Sequence, residues 1–165
     1  MERRWTPRVT VAAVIEQGGR FLLVEEQTQD GLRLNNPAGH LEPGESPAQA
    51  CVREALEETG HAFEPTALVG VYLARPGGAD ARGPAGAADP GLTYLRFAFC
   101  GELGAADPHR PLDRGIVRTL WMDVGELRAS RARHRSPLVL RCVSDYLAGR
   151  RHPLDLIHCD PSLWV

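Results

Sequence analysis

Closely spaced cysteines are missing from this chain. Its four cysteines, Cys51, Cys100, Cys142 and Cys159, are widely scattered with no Cys-x-x-Cys pair. That argues against a zinc site or a disulfide framework and for a reducing cytoplasm. No apolar run reaches the roughly 18 residues that a membrane-spanning helix needs, so no membrane partner is expected. The start, MERRWTPRVTV, lacks the long apolar stretch of a secretory signal, and none is expected. An excess of one charge is also lacking. A net charge of −2 offers no electrostatic footprint for a nucleic-acid polymer. What remains is 165 residues, suited to one domain with a proper core. The expected organisation is a single domain over 1–165 with its core at about 7–150, a surface loop at 75–91 and a C-terminal arm at 151–165.

Arg8 to Glu16 is β-branched and apolar, Gln17-Gly18-Gly19 signals a turn, and Arg20 to Gln27 returns; the pattern predicts a hairpin. Glu25 and Glu26 read as exposed strand-end carboxylates. Gly31 to Pro37 reads as loop and short strand, and Ala67 to Ala74 as another strand. Leu92 to Leu103 carries apolar groups on both faces, as a central strand does. The intervening Arg75 to Gly91 is rich in Gly, Ala, Pro and Asp and cannot build a core; it is a surface loop, with a lid over substrate as the sharper alternative. Ile116 to Met122 is a further strand. Leu138 to Leu147 is an amphipathic helix, expected on the sheet face opposite the helix described next.

That earlier helix lies within GHLEPGESPAQACVREALEETG, residues 39–60. Ser46 can cap it, Pro47 suits its first turn, and Gly60 lies just past its end. Glu54, Glu57 and Glu58 share one face at i, i+3 and i+4. Ala48, Cys51, Val52, Ala55, Leu56 and Thr59 form the side expected against a sheet. The three acids could be a solvated surface, but like charges at this spacing repel. Grouped carboxylate oxygens suit a hard divalent cation, Mg²⁺ or Mn²⁺, and the spacing favours that reading.

Gly39, five residues, Glu45, seven residues, then Arg53-Glu54-Ala55-Leu56-Glu57-Glu58-Thr59-Gly60 resembles the Nudix box, the motif of metal-dependent hydrolases of nucleoside diphosphates linked to another moiety. The departure is His61, where the pattern has an aliphatic residue. The resemblance implies an α/β fold, the Nudix α/β/α sandwich with a mixed β-sheet between helices. It implies Mg²⁺ held by Glu54, Glu57 and Glu58 with the Gly39 carbonyl, and catalysis by those acids together with Arg53. Glu45 is expected to pair with Arg53, and Gly60 to close the helix. Asp113 is a candidate further acid. Asn35 and Asn36 could bond substrate, or simply make the turn. Arg8, Arg20, Arg75 and Arg96 could meet phosphate, and Tyr72, Tyr94 and Trp121 could stack a ring.

Beyond the box, VTVAAVIEQGGRFLLVEE, NNPAGHLEPGE, LRFAF, RSPLV and HPLDLI resemble one bacterial branch of the family. Its members are phosphatases of hydroxymethylpyrimidine diphosphate, thiamine diphosphate and nucleoside di- and triphosphates. The implied activity is release of orthophosphate from a small phosphorylated substrate by a monomer or homodimer. A pyrophosphatase of ADP-ribose, dinucleoside polyphosphates or damaged nucleotides is the alternative. A non-catalytic ligand sensor is a third reading, disfavoured because sensors of this fold tend to lose the acids kept here.

Overall fold

Apolar side chains alternate on both sides of the first strand, and that alternation sets the architecture. Val11, Ala13 and Ile15 enter one buried cluster while Ala12 and Val14 enter another, so this strand must be covered on both faces. The computed structural model describes residues 5–75 and 92–164. In chain order the elements are β1 (Arg8–Val14), β2 (Glu16–Gln17), β3 (Arg20–Thr28), β4 (Gly31–Asn35), β5 (Ala38–His40), α1 (Pro47–Thr59), β6 (His61–Ala74), β7 (Tyr94–Ala106), β8 (Ile116–Asp123), α2 (Val124–Ala129) and α3 (Leu138–Leu147). A mixed sheet has the order β5-β1-β7-β6, with β1 and β7 parallel and the other pairs antiparallel. A second, antiparallel sheet is centred on β3, which pairs with β2, β4 and β8.

α1 covers one face of the mixed sheet, where Ala50, Cys51 and Ala55 meet Val11, Ala13, Leu68 and Phe99. α3 covers the other, where Val139, Cys142 and Val143 meet Ala12, Val14, Val69 and Ala98. The two helices are therefore on opposite faces, as their patterns predict. β7 sits centrally between β1 and β6, which explains its two apolar faces. β6 is longer than its apolar core suggests, starting at His61. The C-terminal residues are tied back by two backbone hydrogen bonds between His152 and Leu68 (2.8 and 2.9 Å), and Leu154 and Ile157 pack on the α1 side. No helix among the described residues is long and apolar enough to cross a membrane.

Three expectations need correction. The hairpin of residues 8–16 and 20–27 is confined to its turn end, the two β2–β3 register pairs and the Leu22 N–H to Ile15 carbonyl bond. Both edges of β1 are taken by β5 and β7, so the chain changes sheet at Ile15 instead of folding back along it. Glu25 is not exposed: it is buried between Arg118 and Arg133, and Glu26 is held by Arg135 and Asn35. On α1, Val52 is 36% exposed whereas Glu54 and Glu58 are buried. The helix is thus rolled so that two of its acids bear on the sheet side. The loop placed at 75–91 lies, from residue 76 on, outside the described residues.

Candidate active site

The loop and helix of residues 39–60 are fixed by their own side chains before any ligand is considered. Ser46 accepts the Gln49 N–H and Gln49 accepts the Ser46 N–H, a reciprocal cap that satisfies two donors left open at a helix start. At the other end Gly60 adopts φ 70° and its N–H closes on Leu56, a left-handed stop that disfavours a Cβ. Arg53 is the hub between loop and helix. It donates to both Glu45 oxygens (2.7 and 3.0 Å), to the His40 carbonyl (2.9 Å), to Glu54 (2.7 Å) and to Glu57 (3.1 Å). Glu45 also accepts the Glu42 N–H at 2.8 Å. The Arg53 hydrogen bond holds the Glu45 carboxyl below the usual range, and Glu45 in turn raises Arg53.

The acids face β5. Gly39 pairs with Val11 of β1, and a Cβ at Gly39 would collide with the Glu54 carboxylate, so only glycine leaves that carboxylate its place. Glu58 accepts the Ala38 N–H at 2.8 Å. Burial pushes Glu58 up to about 8, with the charges of Glu26, Glu54 and Asp113 adding to the shift. Burial also raises Glu54, against the opposing pull of Arg53. Asp113 is exposed, but its N–H donates to the Glu57 carbonyl (2.9 Å), which brings it beside the cluster. Glu54, Glu57, Glu58, Gly39 and Asp113 are therefore brought together.

Next to Gly39 opens a pocket of about 230 Å³ whose wall includes Thr10, Asn35, Gly39, His40, Tyr94 and Arg96. Of the residues named for substrate contact, Asn35, Arg75, Tyr94 and Arg96 line it; Asn36 is buried outside this wall and Arg8 is exposed outside it. Arg20 is committed to Glu126 and the Trp121 carbonyl. The Tyr72 hydroxyl donates to Asp145, and Trp121 packs on the α1-side core. Sequence reasoning missed Thr10, His40 and Arg135 as wall residues. Thr10 left a signal, a lone hydroxyl in an apolar strand whose register carries it into the wall. Arg135 left none, because it reaches the wall from a distant segment.

Hard oxygen donors, two of them buried with raised pKa values, are the chemistry a divalent cation satisfies. As they stand, no three His, Cys, Asp or Glu side chains among the described residues are grouped to hold an ion. Glu54 and Glu57 are turned to Arg53, so binding a cation means exchanging part of that contact. The donor set fits. An acidic helix bearing on the glycine strand β5, beside a pocket lined by arginines, is an arrangement suited to metal-assisted hydrolysis of phosphates. The NUDIX domain family model matches residues 5–142. The chain belongs to the Nudix family, whose hydrolases use divalent metal ions and act on small phosphorylated molecules.

It is 36% identical over 152 residues to the protein named Phosphatase NudJ from Escherichia coli strain K12, covering 92% of this chain and 90% of that one. The Phosphatase NudJ of Shigella boydii matches equally. Among solved structures it is similar to a NUDIX hydrolase from Nitrosomonas europaea, with 51% identity, a TM-score of 0.82, and 94% and 98% of the two chains covered. A UDP-X diphosphatase shares the fold at 20% identity and a TM-score of 0.65, over 92% of this chain and 68% of that one.

Proposed function

We propose that this enzyme is a Mg²⁺-dependent phosphatase that releases orthophosphate from pyrimidine and thiamine diphosphates and from nucleoside di- and triphosphates. The observation that carries this reading is the likeness to proteins named as phosphatases along nine-tenths of both chains. In the reaction, water adds to the terminal phosphorus and the anhydride P–O bond breaks; orthophosphate leaves, with a phosphomonoester from a diphosphate substrate or a nucleoside diphosphate from a triphosphate. When bound, the divalent ion supplies positive charge against the phosphate oxygens and acidity for the attacking water.

Glu54, Glu57 and Glu58, with the Gly39 carbonyl, would hold that ion. Arg53 keeps Glu45, the His40 carbonyl, Glu54 and Glu57 in one arrangement, so its role is to position ligands. Asp113 adds negative charge at the same end, and Asn35 and Arg96 contact the substrate from the pocket wall. The scattered cysteines suit a cytoplasmic enzyme.

The test is an orthophosphate-release screen with and without Mg²⁺ over thiamine diphosphate, nucleoside di- and triphosphates and ADP-ribose. Mg²⁺-dependent orthophosphate from the first three is the expected result. Turnover confined to ADP-ribose, giving AMP and ribose phosphate, would replace it with the pyrophosphatase reading. Tight binding with no turnover would favour a sensor.

A further inference from the structure

The wall of the pocket beside Gly39 carries two buried side chains, Thr10 and Arg96, with donors whose hydrogen bonds are not made. Thr10 on β1 stands opposite His40 on β5 and opposite Arg96 on β7. Paired positions on neighbouring strands share a sheet face, with strands about 4.8 Å apart. His40, Thr10 and Arg96 therefore form one line across three strands, and all three line the pocket. Thr10 and Arg96 are more than nine-tenths buried. Thr10 Oγ1 and Arg96 Nε and Nη1 have no hydrogen-bond partner.

Leaving such groups unmatched is costly. A buried polar group without a partner costs on the order of 1–3 kcal/mol, and more when charged. A guanidinium has five N–H donors and no acceptor, so only an acceptor can relieve it. Arg96 makes no ion pair with a described carboxylate, whereas Arg135 in the same wall is matched by Glu26. Arg75 adds a further cation to the wall. A permanent cation, a hydroxyl and an imidazole in line, in a wall whose carboxylate, Glu26, is already held by Arg135 and Asn35, are the complement of an oxyanion. Asn35 Oδ1 also lacks a partner, and Asn35 Nδ2 is held by Glu26. That end of the wall offers an acceptor, which suits a hydroxyl or amine of the organic part of a ligand.

We propose that His40, Thr10 and Arg96 form an oxyanion subsite that grips the phosphate retained by the leaving group, separate from the acid cluster that handles the departing phosphate. The phosphate assignment rests on the phosphatase reading, in which one phosphate departs as orthophosphate and the organic product keeps the phosphate next to it. The subsite favours substrates in which the scissile anhydride joins two phosphates. It also makes the phosphomonoester product a ligand in its own right.

The experiment measures binding of cytidine 5′-monophosphate, cytidine and inorganic phosphate to the EDTA-treated full-length protein by calorimetry. It uses wild type, Arg96→Gln, Arg96→Lys and Thr10→Val, each checked for an unchanged fold by circular dichroism. Expected is binding of the monophosphate at least about tenfold tighter than of cytidine. Arg96→Gln is expected to lose at least about tenfold, Thr10→Val several-fold, and Arg96→Lys to recover part of the loss. Equal affinity for cytidine and its monophosphate, or wild-type monophosphate binding by Arg96→Gln, overturns the proposal. Because no metal and no turnover are involved, failure here leaves the phosphatase reading standing. A wild type that binds the monophosphate but releases no orthophosphate in the screen fails that reading alone.

Discussion

At the scale of single residues, the acids of the loop and of α1 differ although they are close in sequence. Glu45 is stabilised as a carboxylate by Arg53, whereas Glu54 and Glu58 are buried and disfavoured as carboxylates. The helix pattern put Glu54, Glu57 and Glu58 on one face, and the side chains are there. What the pattern could not give was which of them would be buried, because that depends on the contact with β5. Glu58 titrates near 8 in the folded chain against 4.5 for an ordinary glutamate. The folded state therefore binds the extra proton between those values, and metal-free stability falls as pH rises through that window. The melting temperature of EDTA-treated protein is expected to drop from pH 4.5 to pH 8, and Glu58→Gln to flatten much of that slope. Mg²⁺ competes with the proton, so its stabilising effect is expected to be larger at pH 8 than at pH 5, as thermal melts would read. Gly39→Ala is a second residue test. The added methyl meets the mobile end of the Glu54 side chain, not backbone. Turnover is expected to fall by about tenfold or more, because a misplaced group of about 1 Å has such effects, with little change in melting temperature.

At the scale of elements, α1 was legible almost to the residue: Ser46, Pro47 and Gly60 bound it as their chemistry demands. Replacing Ser46 with Ala removes half of the reciprocal cap and is expected to cost about 1 kcal/mol in a denaturant titration. The pairing of strands was less legible. Residues 8–16 and 20–27 carry similar apolar patterns and a turn between them, which is local evidence for a hairpin. The parallel β1–β7 ladder that displaces it joins residues far apart in sequence, and no local signal encodes such a partner. Glu25 shows the same limit. Its partners Arg118 and Arg133 come from β8 and from the turn after α2, so its burial could not be read from its own strand.

At the scale of the whole molecule, two sheets and two main helices place an acid cluster and a basic pocket on either side of β5. The box made the acid half readable, since its residues are close in sequence. The pocket was only half readable, because Thr10, Asn35, Arg96 and Arg135 converge from four segments. On the proposed function the labour divides accordingly: the acid cluster would meet the cation and the departing phosphate, and the pocket the rest of the substrate. The central claim is that the acidic face of α1 carries Mg²⁺-dependent orthophosphate release. Its most direct measurement is the rate of orthophosphate release from a nucleoside diphosphate across a Mg²⁺ titration, for wild type and Glu57→Gln side by side. The expected result is a saturable Mg²⁺ dependence in wild type and a loss of about 100-fold or more in Glu57→Gln, with nearly unchanged melting temperature. Wild-type turnover by Glu57→Gln, or orthophosphate release that persists in EDTA, would contradict it.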